Sequence, residues 1–74
     1  MFRGTVTFYD EERGFGFIMR DDRQPDIFLH VTGIADRSIK SIPRNARVEF
    51  HVVEGRDGKL QATGVVMVAS QPIL

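Results

Sequence analysis

Gly14-Phe15-Gly16-Phe17-Ile18 and, a little further on, Asp26-Ile27-Phe28-Leu29-His30 are the two stretches on which the fold turns. Along a strand, successive side chains point to opposite faces. Phe15 and Phe17 therefore share one face and Ile18 takes the other. In the second stretch Ile27 and Leu29 share a face, with Phe28 and His30 opposite. Both faces of both segments are apolar or aromatic. A chain of 74 residues builds only one small core, so one of these faces is left toward solvent. The face with three Phe and a His is the better candidate. On spacing alone, two Phe at alternate positions suit a core face equally well, and an exposed apolar face suits a protein partner or a second copy of the chain.

Outward from these segments, short apolar runs alternate with turn residues about every ten positions, the pattern of an all-β domain. The expected strands are 4–9, 15–19, 26–31, 47–54 and 59–68. A charged turn, 10–14, ends in Gly14, and a polar turn, 20–25, carries Pro25, which discourages strand. The connection 32–45 holds Gly33 and Pro43, with one helical turn expected near 33–36. Gly55-Arg56-Asp57-Gly58 reads as a hairpin, because Asp-Gly supplies the positive φ such turns need. In 47–53, Val48, Phe50 and Val52 fall on one face and Arg47, Glu49 and His51 on the other. Five strands in so short a chain are most economically arranged as one sheet curled into a barrel, which buries one face and leaves few open edges. The expected organisation is one domain, residues 1–68, and a short C-terminal tail, 69–74.

Composition narrows the function. Ten Lys and Arg balance ten Asp and Glu, so no net positive charge argues for nucleic acid. The charge is uneven: residues 1–31 hold four Arg against six acids, and residues 32–74 hold six bases against four acids. The chain has no Cys, and its two His, His30 and His51, have no companion at metal-ligand spacing. No metal, cofactor or disulfide is expected, and no Ser-His-Asp set or carboxylate pair points to an enzyme. Gly14-Phe15-Gly16 lacks the third glycine and following helix of a dinucleotide site. The N-terminal residues do not form a signal peptide, and no run approaches the ~20 apolar residues of a membrane span. A cytoplasmic location is the expectation.

Unpaired bases are flat and apolar on both sides, and stacking on an aromatic ring is worth ~1–3 kcal/mol per base. A solvent-facing cluster of Phe15, Phe17, Phe28 and His30 suits that chemistry. His30 adds a hydrogen-bonding edge. Gly14 and Gly16, without side chains, are read as leaving room for a base over the strand and as letting the sheet bend. The acidic run Asp10-Glu11-Glu12 reads as a solvated turn.

Arg13-Gly14-Phe15-Gly16-Phe17-Ile18 resembles the first ribonucleoprotein motif of cold-shock domains, Lys-Gly-Phe-Gly-Phe-Ile, and Asp26-Ile27-Phe28-Leu29-His30 resembles the second, Asp-Val-Phe-Val-His. The similarity covers roughly residues 3–68. It implies a five-stranded antiparallel barrel of the oligonucleotide/oligosaccharide-binding type. It further implies that single-stranded RNA or DNA crosses the first three strands, and that the protein is an ATP-independent RNA chaperone. Carried over by position, the binding residues are Phe8, Tyr9, Phe15, Phe17, Phe28 and His30, with Arg13 on a phosphate. Phe8 has the same parity as Val6, so a bend or bulge in the first strand is expected to turn it outward. The chain departs from the family at Thr7-Phe8, usually Lys-Trp, and at Val31 and Ile39, usually aromatic. With acids beside the face, these departures imply weaker binding and a shallow salt dependence, partly offset by Arg37, Lys40 and Arg44. They also motivate the alternative of a diverged barrel that acts as a protein-interaction module or homodimer. The expected state is a monomer, with a dimer as the alternative.

Overall fold

The Thr-, Val- and aromatic-rich runs fit a pleated, half-buried surface, and they form the strands of a computed structural model that describes residues 1–36, 38–39, 41–55 and 57–68. Its strands are β1 (Phe2–Asp10), β2 (Phe15–Arg20), β3 (Ile27–His30), β4 (Arg47–Glu54) and β5 (Leu60–Met67). Arg37, Lys40, Arg56 and the tail 69–74 lie outside the described residues. So do the electrostatic role expected of Arg37 and Lys40 and the expected C-terminal tail.

The strands close into a barrel in the order β1-β2-β3-β5-β4. Four neighbouring pairs are antiparallel, but β3 and β5 run parallel, with Phe28 beside Gln61 and Leu29 beside Ala62. The expectation of a wholly antiparallel sheet is corrected here, and the reason is parity. Directions cannot alternate all the way around a ring with an odd number of members, so a closed five-stranded barrel contains a like-directed pair. That pair falls where the long connection after β3 carries the chain across the barrel to β4.

Alternation sorts the side chains as read from the sequence. Val6, Ile18, Ile27, Leu29, Val48 and Phe50 are buried, joined by Ile34, Ile42, Ala62 and Val65. No polar or charged residue among those described is buried. Of the six Phe, Phe50 alone is in the core. Val52, expected inside, is half-buried and packs against the core from its edge.

Two irregularities shape the barrel. In β1, Val6 pairs with Ile18 but Phe8 pairs with Phe17, so Thr7 is an extra residue. This is the expected bulge. It lets Val6 point into the core while Phe8, two positions on, points out with 42% of its surface exposed. In β5 the register against β4 slips between Glu49 and His51, where Gly64 adopts φ 61°. The helical turn lies earlier than expected: a 3-10 turn spans Val31–Gly33, and β3 stops at His30. His30 causes the early stop, since its ring accepts a hydrogen bond from the Thr32 N–H and starts the turn. The hairpin forms as read, with Gly58 at φ 80° and the Gly55 N–H donating to the Lys59 carbonyl at 2.7 Å.

Candidate nucleic-acid interface

The pairing of β1, β2 and β3 lines up the outward side chains in rows. Phe8, Phe17 and Phe28 share one row, and Phe15 and His30 lie beside it. The result is a continuous aromatic platform. Ring centroids are 6.0 Å apart for Phe8 and Phe15, 6.0 Å for Phe15 and Phe28, 5.9 Å for Phe17 and Phe28, and 6.3 Å for Phe28 and His30. Phe15 and Phe28 are nearly parallel at 24°, whereas Phe17 meets both edge-on. The rings brace one another while keeping open edges and faces toward solvent, Phe17 at 38% exposure.

His30 is oriented by its own chain. Its Nδ1 accepts from the Thr32 N–H at 3.2 Å and lies 2.9 Å from the Thr32 hydroxyl. A backbone N–H can only donate, so Nδ1 is the acceptor and Nε2 carries the ring hydrogen. The ring therefore presents a donor beside Phe28.

The remaining two residues expected at the site stand apart from this cluster. Tyr9 is half-buried against the core edge. Its hydroxyl titrates above the ordinary tyrosine range, first because of burial and then because of the nearby Glu11 and Asp10 charges. Arg13 is exposed in the turn after β1, with its guanidinium 3.8 Å from Asp10. Asp10 also accepts the N–H groups of Glu12 and Arg13, so the acidic run is an ordered turn as well as a solvated one.

The glycines have another task than making room for a base. A Cβ on Gly16 would stand 2.1 Å from the Phe8 carbonyl oxygen and 2.8 Å from the Tyr9 Cα. Gly16 is buried and lies beneath the β1 bulge, on the side away from the platform. Gly14 adopts φ 73°, a left-handed conformation that glycine accepts without strain, and its N–H closes the turn onto the Asp10 carbonyl at 2.8 Å.

The structure adds residues that sequence reasoning missed. Beside Phe17 and Phe28 the platform runs into two adjoining clefts lined by Lys59, Leu60 and Gln61 and, further round, by Arg20, Gln24 and Asp26. Lys59 makes no ion pair among the described residues, whereas Arg20 is tied to Asp22. The only signal for these residues was the parallel register of β3 and β5, which no local pattern encodes. At the opposite end, Val31, Ile34, Asp36 and Ile39 line a shallow hollow. Among the described residues no group of His, Asp or Glu is placed to hold a metal ion, and no helix is long and apolar enough to cross a membrane.

Comparison with known proteins matches residues 2–68 to the model of the "Cold-shock" DNA-binding domain. A cold shock protein of Arthrobacter globiformis is 44% identical over 68 residues, which is 92% of this chain and all of that protein. A cold shock-like protein of Aquifex aeolicus is 42% identical over 77% of this chain and 81% of its own length. Among solved structures, the Drosophila Unr CSD456 chain superposes with a TM-score of 0.77 at 32% identity, covering 99% of this chain and 29% of that longer one.

Proposed function

The chain belongs to the cold-shock domain family, and from that premise we propose that it binds single-stranded RNA or DNA on the aromatic platform and acts as an ATP-independent RNA chaperone. The observation that carries this reading is the contiguous cluster of Phe8, Phe15, Phe17, Phe28 and His30, held outside a core that is complete without it.

Each ring offers a surface to one base, at ~1–3 kcal/mol per stacked base. Phe has no hydrogen-bonding group, so the four Phe tolerate any base. His30 donates from Nε2 to a base edge or a phosphate. Arg13 reaches a phosphate by exchanging its longer contact with Asp10. Tyr9 borders the strand at the edge of the core. A duplex hides the faces of its bases, so the platform takes only the open form. Binding one form of an equilibrium stabilises that form by mass action, and RNA structure loosens with no nucleotide hydrolysed. The acids beside the platform predict modest affinity and a shallow salt slope.

The test is fluorescence anisotropy of a labelled single-stranded oligopyrimidine, with a duplex of the same sequence as control, against the wild-type chain and Phe15→Ala. The expected result is binding of the single strand alone, weakened about tenfold or more in Phe15→Ala, consistent with the loss of one stacked base. Absence of binding even at low salt would overturn the reading and turn attention to a protein partner on the same face.

A further inference from the structure

Thr32 is not one of the platform's rings, yet the platform's histidine is bonded to it twice. The Thr32 N–H points at His30 Nδ1 from 3.2 Å, and the Thr32 hydroxyl lies 2.9 Å from the same atom. With the N–H donating, Nδ1 is an acceptor, and the hydroxyl is turned to it as a second donor. Thr32 is itself fixed by main-chain bonds on both sides. The Val31 N–H donates to the Gly14 carbonyl at 2.8 Å, and the Ile34 N–H returns to the Val31 carbonyl at 3.2 Å. As the chain leaves the turn, the Ala35 N–H donates to the Val65 carbonyl at 2.9 Å. The 3-10 turn is thus tied to the residue before β2 and to β5 with no ligand needed. Thr32 is exposed, so burial does not account for its side chain.

We infer that Thr32 is a positioning residue for single-strand binding: its hydroxyl fixes the flip and the tautomer of His30, so that the ring offers its Nε2 hydrogen outward to an acceptor oxygen of the strand. The inference rests on the platform reading and deepens it. A half-exposed imidazole is free to flip about its Cβ–Cγ bond and to carry its hydrogen on either nitrogen. A flip exchanges Nε2 with Cε1, and the other tautomer strips Nε2 of its hydrogen. Either change removes the outward donor. The pair of donors at Nδ1 opposes both. A flipped ring sets a carbon, Cδ2, against the N–H and the hydroxyl, and the other tautomer sets one N–H against another. The backbone supplies the longer of the two contacts whatever residue but proline stands at this position. The hydroxyl supplies the shorter one, and it belongs to Thr32 alone. A β-branched side chain is stiff at χ1, so the hydroxyl keeps its place. Ordering the ring in advance removes a cost that binding otherwise bears. The ring so held lies 6.3 Å from Phe28 at 31°, which sets the donor beside a base stacked there and beside its phosphate. Both carry oxygens that accept.

The experiment compares the wild-type chain with Thr32→Val, which keeps the branched shape and removes the hydroxyl, and with Thr32→Ser, which keeps the hydroxyl. Long-range proton–nitrogen NMR of the free proteins in mildly alkaline buffer reads the tautomer of His30, with the exposed His51 as internal reference. In the wild type and Thr32→Ser, Nδ1 is expected to give the signal of an acceptor nitrogen and Nε2 that of a protonated one. In Thr32→Val both signals move toward a mixture. Anisotropy with a labelled oligothymidine is expected to show binding weakened about two- to fivefold in Thr32→Val, the lower part of the range for one net hydrogen bond, and recovered in Thr32→Ser. In a His30→Ala background, Thr32→Val costs nothing further, because the two residues act as one unit. An abasic sugar stepped through the strand identifies the acceptor and supports the inference either way. A Thr32→Val penalty that vanishes with one base removed assigns a base carbonyl, and one that persists throughout assigns a phosphate. An unchanged His30 signature in Thr32→Val overturns the inference, and so does unchanged binding. A binding loss that persists in the His30→Ala background overturns it as well, since Thr32 then acts other than through His30. A mixed tautomer in a wild type that binds overturns this inference alone. A fixed tautomer in a wild type that binds no single strand overturns the platform reading, and with it the binding role of Thr32.

Discussion

The platform and the opposite side of the same barrel use the same strands in contrary ways. On the platform, β1, β2 and β3 set five rings side by side. Around the back, β1 and β4 set charges against one another. Arg3 meets Glu49 at 2.7 Å, and Arg47 bridges from the Thr5 hydroxyl to both oxygens of Asp21. Near the barrel's end, Arg20 pairs with Asp22 and lies over the Phe2 ring at 4.8 Å. At the back, Arg3 and Arg47 find their partners within the chain. The platform's rings have only each other, and their outer surfaces are left for something flat and apolar. Paired charges offer less to a ligand than a contiguous set of open rings, which is why the functional reading belongs to the platform.

The largest way to break this contrast is Gly16→Ala. The added methyl has no space beneath the bulge, so β1 must move, and Phe8 moves with it. Urea unfolding is expected to show a loss of about 2–3 kcal/mol, the upper range for overpacking, together with weakened single-strand binding. A stability close to wild type would mean that the close approach at Gly16 does not constrain the barrel.

Phe8→Trp sharpens the contrast in the other direction. The side chain is exposed and outward, so a larger ring is accommodated. Single-strand affinity, read by anisotropy, is expected to rise about threefold or more, within the spread of base–ring stacking energies, while stability hardly changes. Unchanged affinity would place Phe8 outside the path of the strand.

Glu11→Gln with Glu12→Gln tests the cost of acids beside the platform. Binding is expected to tighten by roughly twofold at low salt, an effect that fades as salt screens it, and the salt slope should steepen. Equal slopes would mean that phosphates pass far from this turn.

The smallest effect is expected at the back. Asp21 is held below the usual carboxylate range, first by the hydrogen bond from Arg47 and then by the charges of Arg47 and Arg3. A depressed folded pKa stabilises the fold above the unfolded value and is lost as pH falls through the folded one. Asp21→Asn should therefore lower the thermal midpoint slightly at neutral pH, with the difference closing in acid, and leave single-strand binding unchanged. A large effect on binding would contradict the division of the barrel into two surfaces.

Much of this was legible from particular residues. Ile18, Ile27 and Leu29 were read as facing away from Phe15, Phe17, Phe28 and His30, because side-chain direction along a strand follows local alternation. The Asp57-Gly58 turn was legible because its backbone requirement is local as well. The bulge was inferred only from the clash of parity between Val6 and Phe8. The position of the extra residue at Thr7 appeared once β1 was paired. Of the two roles read for Gly16, room for a base is corrected, since its close neighbours Phe8 and Tyr9 belong to another strand and lie on the inner side.

The sequence by itself determined the strand segments, which side chains share a face, and the resemblance that links the two motifs. These follow from periodicity and turn chemistry, which act over a few residues. The tertiary structure settled the choice of core, for which the sequence favours the face of Ile18, Ile27 and Leu29. It also placed Lys59, Leu60 and Gln61 beside Phe17 and Phe28, and set Asp36 among Val31, Ile34 and Ile39. Those outcomes depend on closing five strands into a ring, which forces the parallel pairing of β3 with β5. Closure joins residues far apart in the chain, and no local pattern encodes it.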